Sequence, residues 1–393
     1  MSPIGAGMKR RGNTGHSGQS RAHYVLDGAN SEGIRLLMIS NQVAATGYAG
    51  FQMAFSDMVD SGELASFAYI TPSVTIAIGG HQASLTELRE LGATHRPDVI
   101  LVVTPHRFLH EPGWVKSFLR ACGSPHVVYY EADPWGGVSK PVKPPMSAWL
   151  AVADVVFSVA REPHLSIFKA RGAGDIRFIP HTYCHVAFSE GEEPPSTDNR
   201  ALSYDAVLIG SRLARWGRVS RLPGAVDRAR LVRRLQRQHD FRLAIYGRGW
   251  TGRGAKGVLP FDEQVGALRQ GLLSVNWDHF PTYEDYASDR LAISMVSGRV
   301  HVTTAHPGFD WLPKEDAGLF VEPSVTAIVA RVEELLSLNV HDVLRLGHAA
   351  HRWALGRLSH REAARFMLGA VDERLLGMLP ADPWRKFVNE WPR

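Results

Sequence analysis

The chain has 393 residues, 45% hydrophobic and 21% charged, more than one hydrophobic core usually serves, which predicts two domains of ordinary globular composition. It lacks an apolar run long enough to span a bilayer, and its basic start lacks the apolar stretch of a secretory signal, so the expected location is cytoplasmic. Cys122 and Cys184 are too few for a disulfide framework and no Cys/His spacing resembles a zinc site; the net charge of +5 permits an anionic ligand without requiring nucleic acid.

Residues 1–33, headed by MKRRGNTGHSGQSR after a short start, are rich in Gly, Ser and Arg without hydrophobic periodicity, the pattern of a disordered leader. Order is expected from Ile34, where IRLLMIS has the continuous apolar character of a parallel strand buried on both faces. A Gly-bearing loop, NQVAATGYAGF, then leads into a helix over 51–59. The alternation continues with a helix near 85–91, the strand VILVV at 99–103, a helix over 114–121 and the strand HVVYY at 126–130. A helix over 146–153 and strands at 155–158 and 176–179 complete a first half, 34–190. Strands alternating with helices imply an open, doubly wound α/β sheet that binds ligands at the carboxyl ends of its strands.

The Pro- and Glu-rich stretch 191–203 reads as a linker. A second alternation, 204–365, follows: the strand YDAVLIG, a basic helix over 225–238, the strand RLAIYG, and short strands GVLP and LLSVNW. The unit YEDYASDRLAISMVSGRVHVTTAHPGFDWLPKEDAGLFVEP at 283–323 comes next, then a helix over 325–336 and a mostly helical end with a tail at 366–393. Within that unit, Ser288 and Arg290 are placed to offer a hydroxyl and a planar cation to a diphosphate at the start of a helix that Gly298 ends.

The 283–323 unit resembles the donor-binding domain of GT-B glycosyltransferases, in particular the CgeB-like (spore maturation type) group, where S-x-R precedes a helix, a Gly, an apolar strand and a late G-L-x-x-x-P. The resemblance implies two Rossmann-like domains facing a cleft, with a C-terminal helix crossing back to the first. It implies transfer of a sugar from a nucleotide-diphosphate donor to a small molecule, such as a specialised metabolite, or to a glycan. No cofactor beyond the donor and no metal are required, since arginine and helix termini can stabilise the departing phosphate. One departure stands out: where most such domains place a second carboxylate bonded to the donor ribose, this chain has Ile293, with Glu284 or Asp285 as the first of the pair.

For the diphosphate, Arg290 and then Arg212 are the candidates, with Gly210 and Ser211 allowing close backbone approach; ordinary surface ion pairs are the alternative. Arg215, Arg218 and Arg221, with Trp216, form either a basic rim for a charged acceptor or a solvated face. Gly247, Arg248, Gly249 and Trp250 resemble the turn near the donor base, or make a tight turn with a packed indole. Gly47, Tyr48 and Gly50, with Asn41 and Gln42, resemble the loop that reaches into the cleft after the first strand, or simply supply a turn.

His106 follows VILVV and should emerge at the carboxyl edge of the sheet, where a neutral imidazole can take a proton from a hydroxyl. Glu131 and Asp133 end the next strand, Asp133 being the carboxylate candidate for a base or an acceptor contact and equally a turn starter before Pro134. His81 is a third base candidate and His181 a residue beside the cleft or at the domain junction. Three other functions fit the same residues. Nucleic acid as acceptor would use the basic residues of 212–237 as a phosphate track; a binding protein would keep the fold without the chemistry; a nucleotide-sugar epimerase would pair Asp133 with His181 across the sugar.

Overall fold

The computed structural model describes residues 23–29, 32–44, 47–136, 140–196, 198–213, 222–313, 315–370 and Trp384. In its first half the apolar runs become β1 (His23–Asp27), β2 (Ile34–Ser40), β3 (Leu64–Ile70), β4 (Val99–Val103), β5 (His126–Glu131), β6 (Val155–Ser158) and β7 (Ile176–Phe178). Between them run α1 (Ala49–Asp60), α2 (Pro72–His95), α3 (Pro112–Ala121), α4 (Pro144–Leu150) and α5 (His164–Lys169), with the short α6 (Ser189–Glu192) after β7. The strands lie in the order β1-β3-β2-β4-β5-β6-β7, parallel except for β1, which pairs antiparallel with β3. Alternate residues of one strand feed opposite faces: Leu36 and Met38 join one apolar cluster, Leu37 and Ile39 another. Helices cover both faces, which is why these strands read as unbroken hydrophobic runs.

The second sheet is parallel throughout and built from β8 (Tyr204–Ile209), β9 (Leu243–Tyr246), β10 (Ala255–Gly257), β11 (Gly271–Val275), β12 (Val300–Thr304) and β13 (Leu319–Glu322), in the order β10-β9-β8-β11-β12-β13. Its helices are α7 (Ala225–Arg237), α8 (Gln264–Arg269), α9 (Asp289–Val296), α10 (Val325–Ser337), α11 (Val340–Leu355) and α12 (His360–Gly369). Chain order reverses on either side of β8 in this sheet and on either side of β2 in the first. Such a reversal opens a crevice at the carboxyl ends of the strands, so each half contributes one.

The return to the first half is made by α12. Tyr183 N–H donates to Leu358 O at 2.7 Å, His360 N–H donates to Tyr183 O at 3.0 Å, and the His360 ring stacks on Phe51 of α1 at 4.2 Å. A Cβ on Gly50 would lie 2.6 Å from His360 Nδ1, so this glycine is what lets α12 seat on α1. The crossing therefore begins ahead of 366. Of the tail 366–393, residues 371–383 and 385–393 lie outside the described residues, as do Arg215, Trp216, Arg218 and Arg221; Trp384 is buried with its ring 5.0 Å from Phe366.

Three strands differ from the sequence expectation, and among the helices α2 is longer than expected while α5, α6 and α8 are additional. His23–Asp27 lies inside the expected leader yet forms β1, because HYVLD adds to the β3 edge with Tyr24 packed on Phe67 and Tyr69. LASFAYI, wholly buried, is β3, second from the sheet edge, where the sequence predicts no strand. The strand expected at GVLP is set earlier, at Ala255–Gly257, where it pairs with β9. Among the described residues no helix is long and apolar enough to cross a membrane.

Candidate functional site

The carboxyl end of β8 is Ile209 followed by Gly210, and two arginines converge on that glycine. A Cβ there would sit 3.1 Å from Arg228 Nη1 and 3.1 Å from Arg290 Nε. Arg228 comes from α7, where it occupies the apolar stripe with Ala225, Leu231, Val232 and Leu235 and is 1% exposed. Its Nε donates to Trp277 O at 2.6 Å and its Nη2 reaches Asn276 Oδ1 at 3.4 Å, while Nη1 is buried without a partner. Burial first, and the Arg290 charge second, pull its guanidinium down to about 9. Arg290, on α9, donates Nε to Ile209 O at 2.7 Å and has Asp289 at 3.5 Å. Two guanidiniums held against one glycine, one of them with a buried and unused N–H, make a place for an anion.

Beneath them the loop after β11 is fixed by a buried carboxylate. Asp278 accepts from Ser288 Oγ at 2.6 Å and Asn276 Nδ2 at 2.8 Å, faces His306 Nε2 at 3.2 Å, and its own N–H donates to Thr304 Oγ1 at 2.9 Å. Burial opposes its ionisation, but the His306 and Ser288 hydrogen bonds and the Arg228 charge win and hold it well below the usual carboxylate range. Ser288 thus spends its proton on Asp278 rather than presenting it to a phosphate, and Asp289 fills the first turn of α9 with a carboxylate of its own. His279 lies on the same loop. Burial and the charges of Arg228 and Arg290 bring its imidazole down to about 3, and its Nε2 is buried and unpartnered.

Other donor-side candidates are placed differently from expectation. Glu284 and Asp285 turn toward the first half: Arg161 N–H donates to Glu284 O and Glu284 N–H to Glu162 O, both at 2.8 Å, and Asp285 pairs with Arg161 at 2.8 Å. Trp250 packs against the second sheet's core and donates its indole N–H to Gly210 O at 2.6 Å, so it holds two turns together instead of offering a stacking face. Gly247 lets those turns approach this closely by having no side chain, since a Cβ would meet Gly210 O at 2.5 Å. Arg248 N–H donates to Ser211 Oγ at 3.2 Å and Arg212 N–H to Arg248 O at 2.9 Å; both arginines are exposed, and Gly249 lies against the Arg212 carbonyl.

Across the cleft, His106 and Asp133 emerge from the ends of β4 and β5. His106 Nδ1 lies 3.1 Å from Thr104 O and 3.3 Å from Asn41 Nδ2, its ring rests 5.2 Å from Trp135, and burial keeps its pKa below normal, leaving a neutral imidazole. Asp133 is half exposed and pairs with Lys140 at 3.1 Å, whose ammonium also covers Trp135 at 4.6 Å. Glu131 is fully buried, accepts from Tyr129 Oη at 2.7 Å and from the Asp133 N–H at 3.2 Å, and is pushed up to about 8 by burial and then by Asp133. It sits behind Asp133, away from solvent. His181 packs edge-on to Tyr286 at 5.9 Å, and Tyr283 Oη donates to Trp135 O at 3.2 Å. The charges of Asp133 and Asp289, from opposite halves, both act on the buried Tyr130 and Tyr286 phenols, which burial holds well above their usual range.

Tyr48 caps α1 with φ +55° and Gly47 O accepts from Gln52 Nε2 at 2.6 Å, so their loop is built by local bonds; Gly50, expected on the same loop, serves the α12 contact instead. His81, expected from its neighbours Gly79 and Gly80 to lie exposed in a loop, is exposed but lies in α2 just past its break at Gly80. Arg228, Asp278, His279 and Trp135 carry much of the site and were missed. Arg228 had a signal, an arginine on the apolar stripe of a helix; the others sit in loops without periodicity. Among the described residues no group of three His, Cys, Asp or Glu side chains is arranged to hold a metal ion.

No protein-family model and no curated protein matches the sequence. Solved structures do. Sucrose-phosphate synthase from Thermosynechococcus elongatus superposes with a TM-score of 0.56 at 14% identity, over 88% of this chain and 99% of that one. HepE from Anabaena, in complex with UDP-glucose, gives 0.52 at 9% identity over 86% and 99%. A DNA-modifying β-glucosyltransferase, solved in the presence and absence of its substrate uridine diphosphoglucose, gives 0.52 at 11% identity over 87% and 100%. These likenesses span nearly the whole of each relative, and the chain has the GT-B fold of two Rossmann-like halves around a cleft.

Proposed function

We propose that this chain is a glycosyltransferase that moves a sugar from a nucleoside-diphosphate donor to a small-molecule or glycan acceptor. The observation that carries the reading is the convergence of Arg228 and Arg290 on Gly210 at the reversal point of the second sheet. UDP-glucose in the structure of HepE supports it. In this reading residues 204–365 bind the donor, 34–190 bind the acceptor and 191–203 join them, as in the CgeB-like group that the 283–323 unit resembles. A cytoplasmic specialised-metabolite enzyme suits it.

The acceptor oxygen bonds to the sugar's anomeric carbon as the bond from that carbon to the β-phosphate oxygen breaks, and the electron pair passes to the phosphate. Arg228 and Arg290 stabilise that charge from fixed positions. Asp133 takes the acceptor proton, with Lys140 and the N–H to Glu131 fixing its loop. His106, neutral and braced on Trp135, lies beside it to contact the sugar.

Release of nucleoside diphosphate from a panel of nucleotide sugars tests the assignment. Wild type is expected to cleave at least one, and Asp133→Asn to lose turnover by roughly a hundredfold or more while still binding the donor. Unaltered turnover in Asp133→Asn removes its role; no binding or cleavage of any donor removes the reading.

A nucleic-acid acceptor is the second reading, favoured by the likeness to a DNA-modifying enzyme and by exposed Arg230, Arg233 and Arg237 on α7. The track expected over 212–237 is incomplete, since Arg228 is buried and Arg230 is paired with Asp227. Salt-sensitive binding to duplex DNA would support it.

A further inference from the structure

The backbone just past the end of β4 is unusual at one residue. Thr104, 1% exposed, has φ +43°. A β-branched side chain and the proline that follows, Pro105, both favour extended backbone, and a left-handed φ at such a residue is rare. Where a strand end needs only a turn, Gly or Asn makes it without that strain. Strain persists where the surrounding bonds over-determine it, and here those bonds lead into the cleft.

Thr104 is tied in three directions. Its N–H donates to Tyr130 O at 2.9 Å, continuing the pairing of β4 with β5. Its Oγ1 accepts at 3.1 Å from the N–H of Ala132, the residue before Asp133. Its carbonyl accepts from the His106 N–H at 2.8 Å and lies 3.1 Å from His106 Nδ1. Resting on the reading above, we propose that Thr104 is a positioning residue for the transfer. Its hydroxyl fixes the Asp133 loop and its carbonyl fixes the His106 imidazole, so the proton acceptor and the sugar contact are held in one register at the ends of neighbouring strands.

The carbonyl also decides the tautomer of His106. A carbonyl oxygen only accepts, so the Nδ1 beside it carries the hydrogen and Nε2 keeps the lone pair. The Asn41 amide, 3.3 Å from the same nitrogen, shares that hydrogen when it presents its Oδ1, which otherwise is buried without a partner. Burial holds the imidazole neutral, and the charge of Asp133 reaches it. His106 therefore offers the sugar a hydrogen-bond acceptor at Nε2 rather than a donor.

Nucleoside diphosphate release from UDP-, TDP-, GDP-, ADP- and CDP-glucose tests the inference in Thr104→Val, which keeps the shape of the side chain and loses the acceptor. The kcat should fall by about tenfold to a hundredfold with the donor KM within about threefold of wild type, because the arginines at Gly210 lie on the other half. Thr104→Ser, which restores the oxygen, should recover most of the loss. A Thr104→Val as fast as wild type, or a loss that Thr104→Ser does not recover, overturns the inference and leaves the glycosyltransferase reading standing. Release from no donor by wild type overturns the reading and the inference with it. Nitrogen NMR of the histidine side chains at neutral pH needs no substrate: it should show His106 protonated at Nδ1, and a hydrogen at Nε2 would overturn the inference. Should Thr104→Val not fold, Thr104→Gly adopts the same φ without a side chain and should be slowed as much; full activity in it would again overturn the inference.

Discussion

Arg228 and Arg290 stand on different helices, yet each brings a guanidinium nitrogen to 3.1 Å from the point where a side chain on Gly210 would begin. The site is a gap kept open by the absence of a methyl group. Gly210→Ala is therefore expected to lower nucleoside-diphosphate affinity by about tenfold or more, because charge-assisted bonds to both arginines are obstructed. Calorimetry on the folded variant checks it, and unchanged affinity would place the anion elsewhere.

Arg161 and Asp285 join the two halves through a pair in which the Asp285 side chain is 3% exposed and that of Arg161 is 40% exposed. Removing the arginine leaves a buried carboxylate that burial already pushes up to about 7. Arg161→Ala should cost about 2 kcal/mol, less than a wholly buried pair because one partner is in water. Asp285→Asn in the same chain should recover much of the loss, measurable by urea denaturation.

The pH profile of stability has two opposed sources. His110, His164, His279 and His360 are brought by burial to about 3, and His301 to about 4. Below the unfolded value of about 6.5 the unfolded chain binds protons that the native one refuses, so stability falls as pH drops through that window. Glu131 and Asp285, raised to about 8 and about 7, bind protons more tightly in the native state, and stability falls as pH rises from about 4.5 to 8. The histidines outnumber the carboxylates, so the melting temperature should peak between about pH 6.5 and 7. Glu131→Gln should flatten the alkaline side and add about 2–3 kcal/mol at pH 7; a profile as steep as wild type would show that Glu131 is ionised at no cost.

Gly50→Ala tests the α12 crossing. Its methyl would fall 2.6 Å from His360 Nδ1 and 3.1 Å from Cys184 Sγ. Overpacking of this kind should cost about 1–3 kcal/mol. A melting temperature equal to wild type would mean that α12 moves freely on α1.

Much of the fold was legible because its strands are buried on both faces: VILVV and HVVYY can be little else. LASFAYI does not read as a strand since Ala and Ser dilute its apolar character, nor does HYVLD, because it belongs to an edge whose partner lies forty residues or so downstream, beyond local pattern. Gly210, His106 and Asp133 are readable as candidates from strand ends, where position implies exposure to a crevice, and Arg290 from the S-x-R turn ahead of a helix. Arg228 reads like its basic neighbours, and only its place in the stripe Ala225, Leu231, Val232 and Leu235 distinguishes it. Nothing local to 283–286 shows that Arg161 pairs with Asp285, or that Glu284 is tied by its backbone to Arg161 and Glu162, so both read as donor carboxylates in sequence.

A thermal-shift panel of uridine, thymidine, guanosine, adenosine and cytidine diphosphates on wild type and on Arg290→Ala addresses the central claim most directly. At least one diphosphate should raise the wild-type melting temperature by mass action, and that rise should disappear in the variant. If no diphosphate stabilises the wild type, or if the variant responds as strongly, the arginines at Gly210 do not form a nucleotide site.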